Sequence, residues 1–370
     1  MKLTIERNTL LRSLGHVQSV VERRNTIPIL SNVQLEVSGQ TLGLTATDLD
    51  LSIVEQAEAQ VSESGATTAP AHTLFDIVRK LPDGADVELG FEAEQRLSLV
   101  SGRSRFTLAC LPKEDFPVMA EGDLAHQFEL DAGTFKSLID KTRFAVSTEE
   151  TRYYLNGIYM HVVDGDDAGL VAVATDGHRL ARVRLDVPAG AAEMPGVIIP
   201  RKAVGELRKL IEEFEGPVKV ALSDTKIRLD FNNAVLTSKL IDGTFPDYTR
   251  VIPTGNERKL EADCVQLAES VDRVSTISTD KTRSVKLALE EDRLTLSVTS
   301  PENGTATEEL TVSYKGEAME IGFNARYLLE ILGQVTGEVV AVDLSDPSSP
   351  TVIRDLGDDS ALYVLMPMRV

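Results

Sequence analysis

Lys2-Leu3-Thr4-Ile5-Glu6 alternates polar and apolar residues, and an apolar stripe at Leu10, Leu14, Val17 and Val21 follows at once. Alternation is the period of a half-buried strand, and an i, i+4, i+7, i+11 stripe is that of an amphipathic helix. The opening recurs twice. Gln127-Phe128-Glu129-Leu130-Asp131 runs into a helical pattern over 135–146, and Lys259-Leu260-Glu261-Ala262-Asp263 into one over 265–277. Leu3, Phe128 and Leu260 are 125 and 132 residues apart. Shorter helical patterns are expected over 71–81, 200–214 and 324–332, and their markers Pro70, Pro200 and Asn324 are 130 and 124 apart. Alternating stretches over 105–111, 234–240 and 361–367 close each repeat, with Phe106, Val235 and Ala361 spaced by 129 and 126. Three markers agree on one period, which is the signature of a tandem array.

Each repeat reads strand, helix, several strands, then strand, helix, several strands. Turn signals separate the later strands at Ser38-Gly39-Gln40, Asp164-Gly165-Asp166-Asp167, Glu290-Glu291-Asp292 and Gly357-Asp358-Asp359. Few helices among many strands predict an α+β fold, with mostly antiparallel sheets and the helices on one side. Turn-rich, weakly periodic linkers fall at 113–125 and 245–256. The expected domains are therefore 1–122, 126–248 and 256–370.

The 370-residue chain carries 38 Lys+Arg against 58 Asp+Glu, a net charge of −20, with 42 % hydrophobic and 26 % charged residues. That balance is globular and excludes a largely disordered chain, a collagen-like rod or a coiled coil. No stretch approaches the roughly 20 apolar residues of a membrane span. The first residues lack the apolar centre of a secretion signal, so a cytoplasmic protein is expected. Cys110 and Cys264 suit neither a disulfide framework nor a metal motif and are expected in the core.

An acidic chain repels nucleic acid as a whole, but screening makes charge a local matter over about 8 Å. Basic residues gather on the helical segments: Arg12, His16 and Arg23 opposite the first apolar stripe with Arg24 just beyond, Lys136, Lys141 and Arg143 on the second-repeat helix, and Arg79-Lys80, Arg201-Lys202, Arg208-Lys209 and Arg326 on the shorter ones. Acidic residues concentrate in strand edges and turns, Glu55 and Asp358 among them. One such face alone is the ordinary polar side of a helix. Repeated three times it suggests one basic surface that touches phosphates without reading bases.

Phosphate-binding loops, dinucleotide fingerprints, zinc motifs and the nucleophile elbow are all missing. The nearest thing to a catalytic cluster is Thr175-Asp176-Gly177-His178-Arg179. A hydrolase or transferase using Asp176 and His178 is the alternative, disfavoured because no nucleophile, metal or cofactor motif accompanies it; a tight turn is the preferred reading. No cofactor and no metal are expected.

Several stretches together resemble the bacterial DNA polymerase III beta subunit family, the replicative sliding clamps. They are Leu44-Thr45-Ala46-Thr47-Asp48-Leu49, Ser101-Gly102-Arg103-Ser104-Arg105-Phe106, Arg152-Tyr153-Tyr154-Leu155-Asn156-Gly157, Ala174-Thr175-Asp176-Gly177-His178-Arg179-Leu180, Leu240-Ile241-Asp242-Gly243-Thr244-Phe245-Pro246-Asp247-Tyr248 and Met366-Pro367-Met368-Arg369-Val370. They keep their order along the whole chain. The resemblance implies three clamp domains per chain and a head-to-tail homodimer closing a ring, helices inside and sheets outside. That ring would encircle duplex DNA and tether the polymerase without catalysing anything itself. Implied partners are the DNA polymerase III alpha subunit, the clamp-loader complex, and other polymerases and repair factors docking through short peptides.

By the same resemblance, DNA contacts map to Arg24, His72, Tyr153, Tyr154, Arg201 and Lys202. His72 stands where the family often has arginine, and Glu149, which would repel phosphate, stands where a glutamine can occur. The partner-peptide pocket maps to Leu155, Thr175, Gly177, His178, Arg179, Leu180, Pro246, Arg250, Val251, Asn324, Tyr327, Val364, Met366, Pro367, Met368 and Arg369. The dimer interface maps to Phe106 and Leu108 on one edge and to Thr276 and Ile277 on the other, where Thr276 is less apolar than is usual in the family.

Overall fold

A computed structural model describes residues 1–92, 95–120, 122–165, 168–278 and 284–369. Asp166 and Asp167 of one expected turn, Glu121 of one expected linker and the terminal Val370 lie outside the described residues. The element order repeats three times, as an α+β array. Each repeat opens with a short strand (Lys2–Glu6, His126–Asp131, Arg258–Asp263) followed by a 12-residue helix: α1 (Arg7–Gln18), α3 (Ala132–Arg143) and α5 (Cys264–Ser275). Each has a second helix, α2 (Ala71–Arg79), α4 (Arg201–Glu212) and α6 (Ala325–Leu332).

Helices α1 and α3 begin three residues before their apolar patterns. The acid that ends each opening strand caps the helix: Glu6 accepts the Thr9 amide at 2.9 Å, Asp131 that of Thr134 at 3.0 Å and Asp263 that of Gln266 at 2.8 Å. A side-chain cap of this kind is worth about 1 kcal/mol and lets a polar first turn form ahead of the apolar stripe. The stripes themselves are core. Leu10, Leu14 and Val17 of α1 are buried, as are Phe135, Leu138 and Ile139 of α3.

The chain packs as two compact units, Met1–Lys136 with Pro188–Leu240 and Ser137–Val187 with Ile241–Val370. The residues expected as the middle repeat are thus shared between them. In the first unit, one antiparallel sheet runs, by residue range, 126–131, 217–222, 226–230, 234–239, 51–58, 41–47, 32–38, 65–70. Its centre is a seam between repeats: Ala234–Lys239 pairs with Leu51–Glu58, Ala234 opposite Glu55 and Ser238 opposite Leu51. The other sheet of this unit is ordered 60–63, 2–6, 86–92, 96–101, 104–109, so Ser104–Ala109 is an edge.

The second unit repeats the arrangement. Arg179–Leu185 pairs with Asp358–Leu365, Arg179 opposite Leu365 and Val183 opposite Ala361, again joining consecutive repeats. A four-stranded sheet ends on Gly304–Thr311, which is an edge.

Cations expected on open helix faces are partly neutralised. The His16 ring lies 2.6 Å from Glu55, a carboxylate with no exposure, and 3.4 Å from Glu213. Lys141 binds Asp358, and Arg273 binds Glu308 at 2.7 Å. Position by position these are the same site on α1, α3 and α5, counted from the caps. Glu55 is accordingly no strand-edge acid. It is buried beneath α1, where a carboxylate requires a partner.

Candidate functional site

Thr175-Asp176-Gly177-His178-Arg179 is a turn between the strands Gly169–Thr175 and Arg179–Leu185. The Asp176 carboxylate accepts the amides of His178 at 2.9 Å and Arg179 at 3.0 Å, and the Arg179 Nε at 3.3 Å. The Thr175 hydroxyl donates to the Arg179 carbonyl at 2.7 Å and accepts the Gly177 amide at 3.1 Å. Gly177 has φ +88°, and a Cβ there would meet Arg152 at 2.8 Å. The two Asp176 carboxylate oxygens, the bonded side-chain atoms of the supposed dyad, both hold the turn. No Asp–His hydrogen bond through the ring is formed among the described residues.

What the turn does instead is aim side chains. His178 stacks on Tyr327 with ring centroids 6.2 Å apart. Arg179 is nearly buried, its guanidinium 4.3 Å from the Tyr327 ring centroid and 5.1 Å from that of Phe144. It binds Glu330 and donates to the Phe144 carbonyl at 2.6 Å. Tyr327 and Glu330 come from α6, which Asn324 caps by accepting the amides of Arg326 at 3.0 Å and Tyr327 at 3.3 Å. Asn324 therefore sets the helix that carries Tyr327.

The C-terminal run is pinned beside this turn. The Met366 amide donates to the His178 carbonyl at 2.9 Å and the Met368 amide to the Gly322 carbonyl at 2.8 Å. Pro367 between them is half-buried, Met366 is 38 % exposed and Arg369 is exposed. Strand register sets Leu180 between Thr175 and Val364. Leu155 is buried just before Gly157–Val163, which pairs with Gly169–Thr175. Past Ile241 the chain lies against that strand, with Phe245 stacked on Tyr159 at 4.8 Å and Tyr248 bonded to His161 at 3.0 Å. It exposes Pro246, Arg250 and Val251, the last 49 % exposed, and Arg250 pairs with Asp247 at 2.8 Å. The pocket residues named from sequence thus all belong to one unit.

The residues mapped to DNA contact divide between the units. In the first, Arg24 is exposed beyond α1. His72 Nε2 lies 2.9 Å from the Val21 carbonyl, and the Lys202 ammonium donates to the Val20 carbonyl at 2.9 Å, to Glu22 at 2.5 Å and to Asp48 at 2.6 Å. Burial alone would lower the Lys202 pKa, but those two carboxylates outweigh it and hold it above its usual value. His72 and Lys202 occupy the same place, second in α2 and α4, and Arg326 is second in α6. Arg201, first in α4, is exposed. In the second unit Tyr153 is 53 % exposed and meets Tyr154 edge-on at 5.7 Å. Gly243 lies under both, where a Cβ would stand 3.1 Å from Tyr154 and 3.3 Å from Tyr153.

Phe106 and Leu108 are half-buried on the edge strand Ser104–Ala109, which pairs with Arg96–Ser101. Thr276 caps the end of α5 and is exposed, and the half-buried Ile277 accepts the Asn303 side-chain amide through its carbonyl at 3.0 Å. Cys110 and Cys264 are buried free thiols. Among the described residues no group of three or more His, Cys, Asp or Glu could hold a metal ion, and no helix is long and apolar enough to cross a membrane. Sequence reading missed Arg182, Arg184 and Arg354, although the alternation in Arg179–Leu185 already sets the first two on one face.

Three α+β repeats with inter-repeat strand seams and open edges define a DNA-clamp type of scaffold. Family models for the DNA polymerase III beta subunit match it throughout: the N-terminal domain over residues 1–120, the central domain over 129–247 and the C-terminal domain over 249–369. The beta sliding clamp of Caulobacter vibrioides is 55 % identical over 372 residues and that of Escherichia coli 41 % over 371, with all of both chains covered in each case. Among solved structures, a sliding clamp from Bartonella birtlesii bound to griselimycin aligns with a TM-score of 0.97 at 52 % identity, covering 100 % of each chain. The DNA polymerase sliding clamp of Caulobacter crescentus aligns with a TM-score of 0.93 at 55 % identity, again over 100 % of each chain. The chain belongs to the DNA polymerase III beta subunit family, the bacterial sliding clamps. It is a non-catalytic accessory subunit and a processivity factor, and the hydrolase or transferase alternative is not favoured.

Proposed function

We propose that two copies of this chain join head to tail into a ring of six clamp domains, with boundaries at 1–122, 126–248 and 256–370, that encircles duplex DNA in the cytoplasm. The observation that carries this is the matching of seams and edges. Within the chain, the last strand of the second repeat pairs with a strand of the first, and the last strand of the third pairs with one of the second. By the same rule the last strand of the first repeat, Ser104–Ala109, needs a strand equivalent to Leu51–Glu58 and Arg179–Leu185. In the third repeat that strand is Gly304–Thr311. Both are edges, and an unpaired edge invites a neighbour's backbone. A second copy supplies each edge with its complement, and the contact is heterologous, closing because two copies complete the set. Phe106 and Leu108, with Thr276 and Ile277 at the end of α5, would be covered there.

Encirclement explains how a protein of net charge −20 holds an anionic polymer. The link is topological, so contacts through Arg24, His72, Tyr153, Tyr154, Arg201 and Lys202 need only be weak and indifferent to sequence. Lys202 and His72 act mainly by fixing the segment that bears Arg24. The groove around Leu155, Thr175, Gly177, His178, Arg179, Leu180, Pro246, Arg250, Val251, Asn324, Tyr327, Val364, Met366, Pro367, Met368 and Arg369 takes short peptides of the polymerase alpha subunit, the clamp loader and other polymerases and repair factors. Methionines suit such varied guests because they repack with little strain.

The test is retention. Loaded onto a nicked circular plasmid by its loader, the protein should remain with the DNA through gel filtration and be lost once the plasmid is linearised. Equal retention on linear DNA refutes encirclement.

A further inference from the structure

The Lys202 ammonium carries three N–H donors, and all three are taken: by the Val20 carbonyl at 2.9 Å, by Glu22 at 2.5 Å and by Asp48 at 2.6 Å. The cation is saturated within the fold. Its neighbours on the segment that follows α1 are not. Arg23 and Arg24 are exposed and form no ion pair among the described residues.

The three acceptors of Lys202 differ in what holds them. Asp48 is committed to its own turn. Its Oδ1 accepts the amides of Asp50 at 2.9 Å and Leu51 at 2.7 Å, its Oδ2 takes Lys202, and its side chain is 15 % exposed. The Val20 carbonyl belongs to a backbone that His72 also grips, at the Val21 carbonyl. Glu22 has no such support. Its side chain is 61 % exposed, and Lys202 is its one partner among the described residues. The bond to Glu22 is exposed, whereas those to Val20 and Asp48 are part-buried. An anion arriving from solvent therefore reaches the ammonium by taking the place of Glu22.

We propose that Glu22 is a built-in counterion that a DNA phosphate displaces when Lys202 touches the duplex, so that this one carboxylate sets how loosely the protein holds DNA. The inference rests on the reading of Lys202 as a DNA contact. The exchange replaces a carboxylate–ammonium bond with a phosphate–ammonium bond, so the count of charge-assisted bonds stays the same and the gain is small. The released carboxylate also remains close to the phosphates and repels them. The segment keeps its shape meanwhile, because the Val20 and Val21 carbonyls stay with Lys202 and His72. Arg24, with no internal partner, meets phosphate without this competition. Glu22 thus weakens one contact and leaves the scaffold intact, which suits contacts that carry no sequence information.

Fluorescence anisotropy of a short labelled duplex at low salt, read with the full-length protein, decides it. Two variants separate contact from charge. Glu22→Gln removes the charge. Glu22→Asp keeps the charge but is one methylene too short to hold the ammonium. They should bind the duplex about threefold and about twofold more tightly than the wild type, with melting temperatures unchanged. A gain in Glu22→Gln beside wild-type binding in Glu22→Asp assigns the effect to general charge and overturns the proposal. Unchanged or weaker binding in both variants overturns it too, since weaker binding means that Glu22 holds the segment in shape. If Arg24→Ala and Lys202→Gln both bind as the wild type does, the DNA-contact reading itself fails and takes this proposal with it.

Discussion

Replacing Arg179 with methionine keeps the bulk of the side chain and removes its charge. Five interactions go with it; the weakest, Nε to Asp176 at 3.3 Å, adds little because that carboxylate keeps the His178 and Arg179 amides. The ion pair with Glu330 is lost, but that carboxylate is 30 % exposed and keeps Arg326 at 3.1 Å, so its part is about 1 kcal/mol rather than the larger penalty of a stranded buried charge. The bond to the Phe144 carbonyl, 2.6 Å from a buried guanidinium, contributes about 2 kcal/mol. Stacking on Tyr327 and Phe144 adds about 1 kcal/mol, and the methionine recovers about 1 kcal/mol by apolar packing. The net loss is about 3 kcal/mol in the second unit. Hydrogen exchange reads it locally: the Met366 amide, bonded to the His178 carbonyl, should exchange about 100-fold faster. Urea unfolding followed by circular dichroism should show an earlier transition with the first unit's transition unmoved. A change below about 1 kcal/mol would refute the reasoning that Arg179 holds the turn, α6 and the C-terminal run together.

Ile277→Asp should convert the dimer, about twice 40.3 kDa, to a monomer in equilibrium sedimentation, and an unchanged mass removes Ile277 from the interface. Arg24→Ala should weaken contact with duplex DNA while stability stays within about ±0.5 kcal/mol; binding should fall steeply with added salt, and salt-independent affinity contradicts phosphate contact. His16 supplies a pH dependence. Burial pulls its pKa down, but Glu55 and then Glu213 outweigh burial and raise it above 6.5. A raised folded pKa means the stabilisation is complete below the unfolded value and disappears as pH climbs through the folded one. Thermal melts should therefore show the first unit weakening as pH rises past about 6.5, and His16→Gln should flatten that trend; an identical trend in the variant assigns it to another group.

The period was legible because strand alternation and helical stripes are backbone geometry written in polarity, repeated three times. Helix starts were legible only from the apolar stripe, which misses the polar turn that Glu6 and Asp131 cap. The charge pattern was half legible. His16 and Lys141 looked solvated because their partners, Glu55 and Asp358, are distant in sequence, and only the fold brings them together. The turn reading of Asp176-Gly177 was within reach of local chemistry, since Asx turns and a positive-φ glycine act over a few residues. The seams between repeats were not, because register depends on faces that no single strand reveals.

The seam between Ala234–Lys239 and Leu51–Glu58 makes part of the covalent chain mechanically redundant. The connection through Val118, 87 % exposed, joins segments of one unit that are already stitched by five facing residue pairs, by Ser19 to Glu206 and by Lys202 to Asp48. A peptide bond cut at Val118 would leave its two fragments bound as tightly as an interface binds, so the break would show on a denaturing gel and nowhere in the fold. Lengthening the same connection is equally mild, because doubling a loop costs only about 0.6 kcal/mol. This stretch can therefore accept a tag or an inserted domain while the register of every strand around it stays fixed.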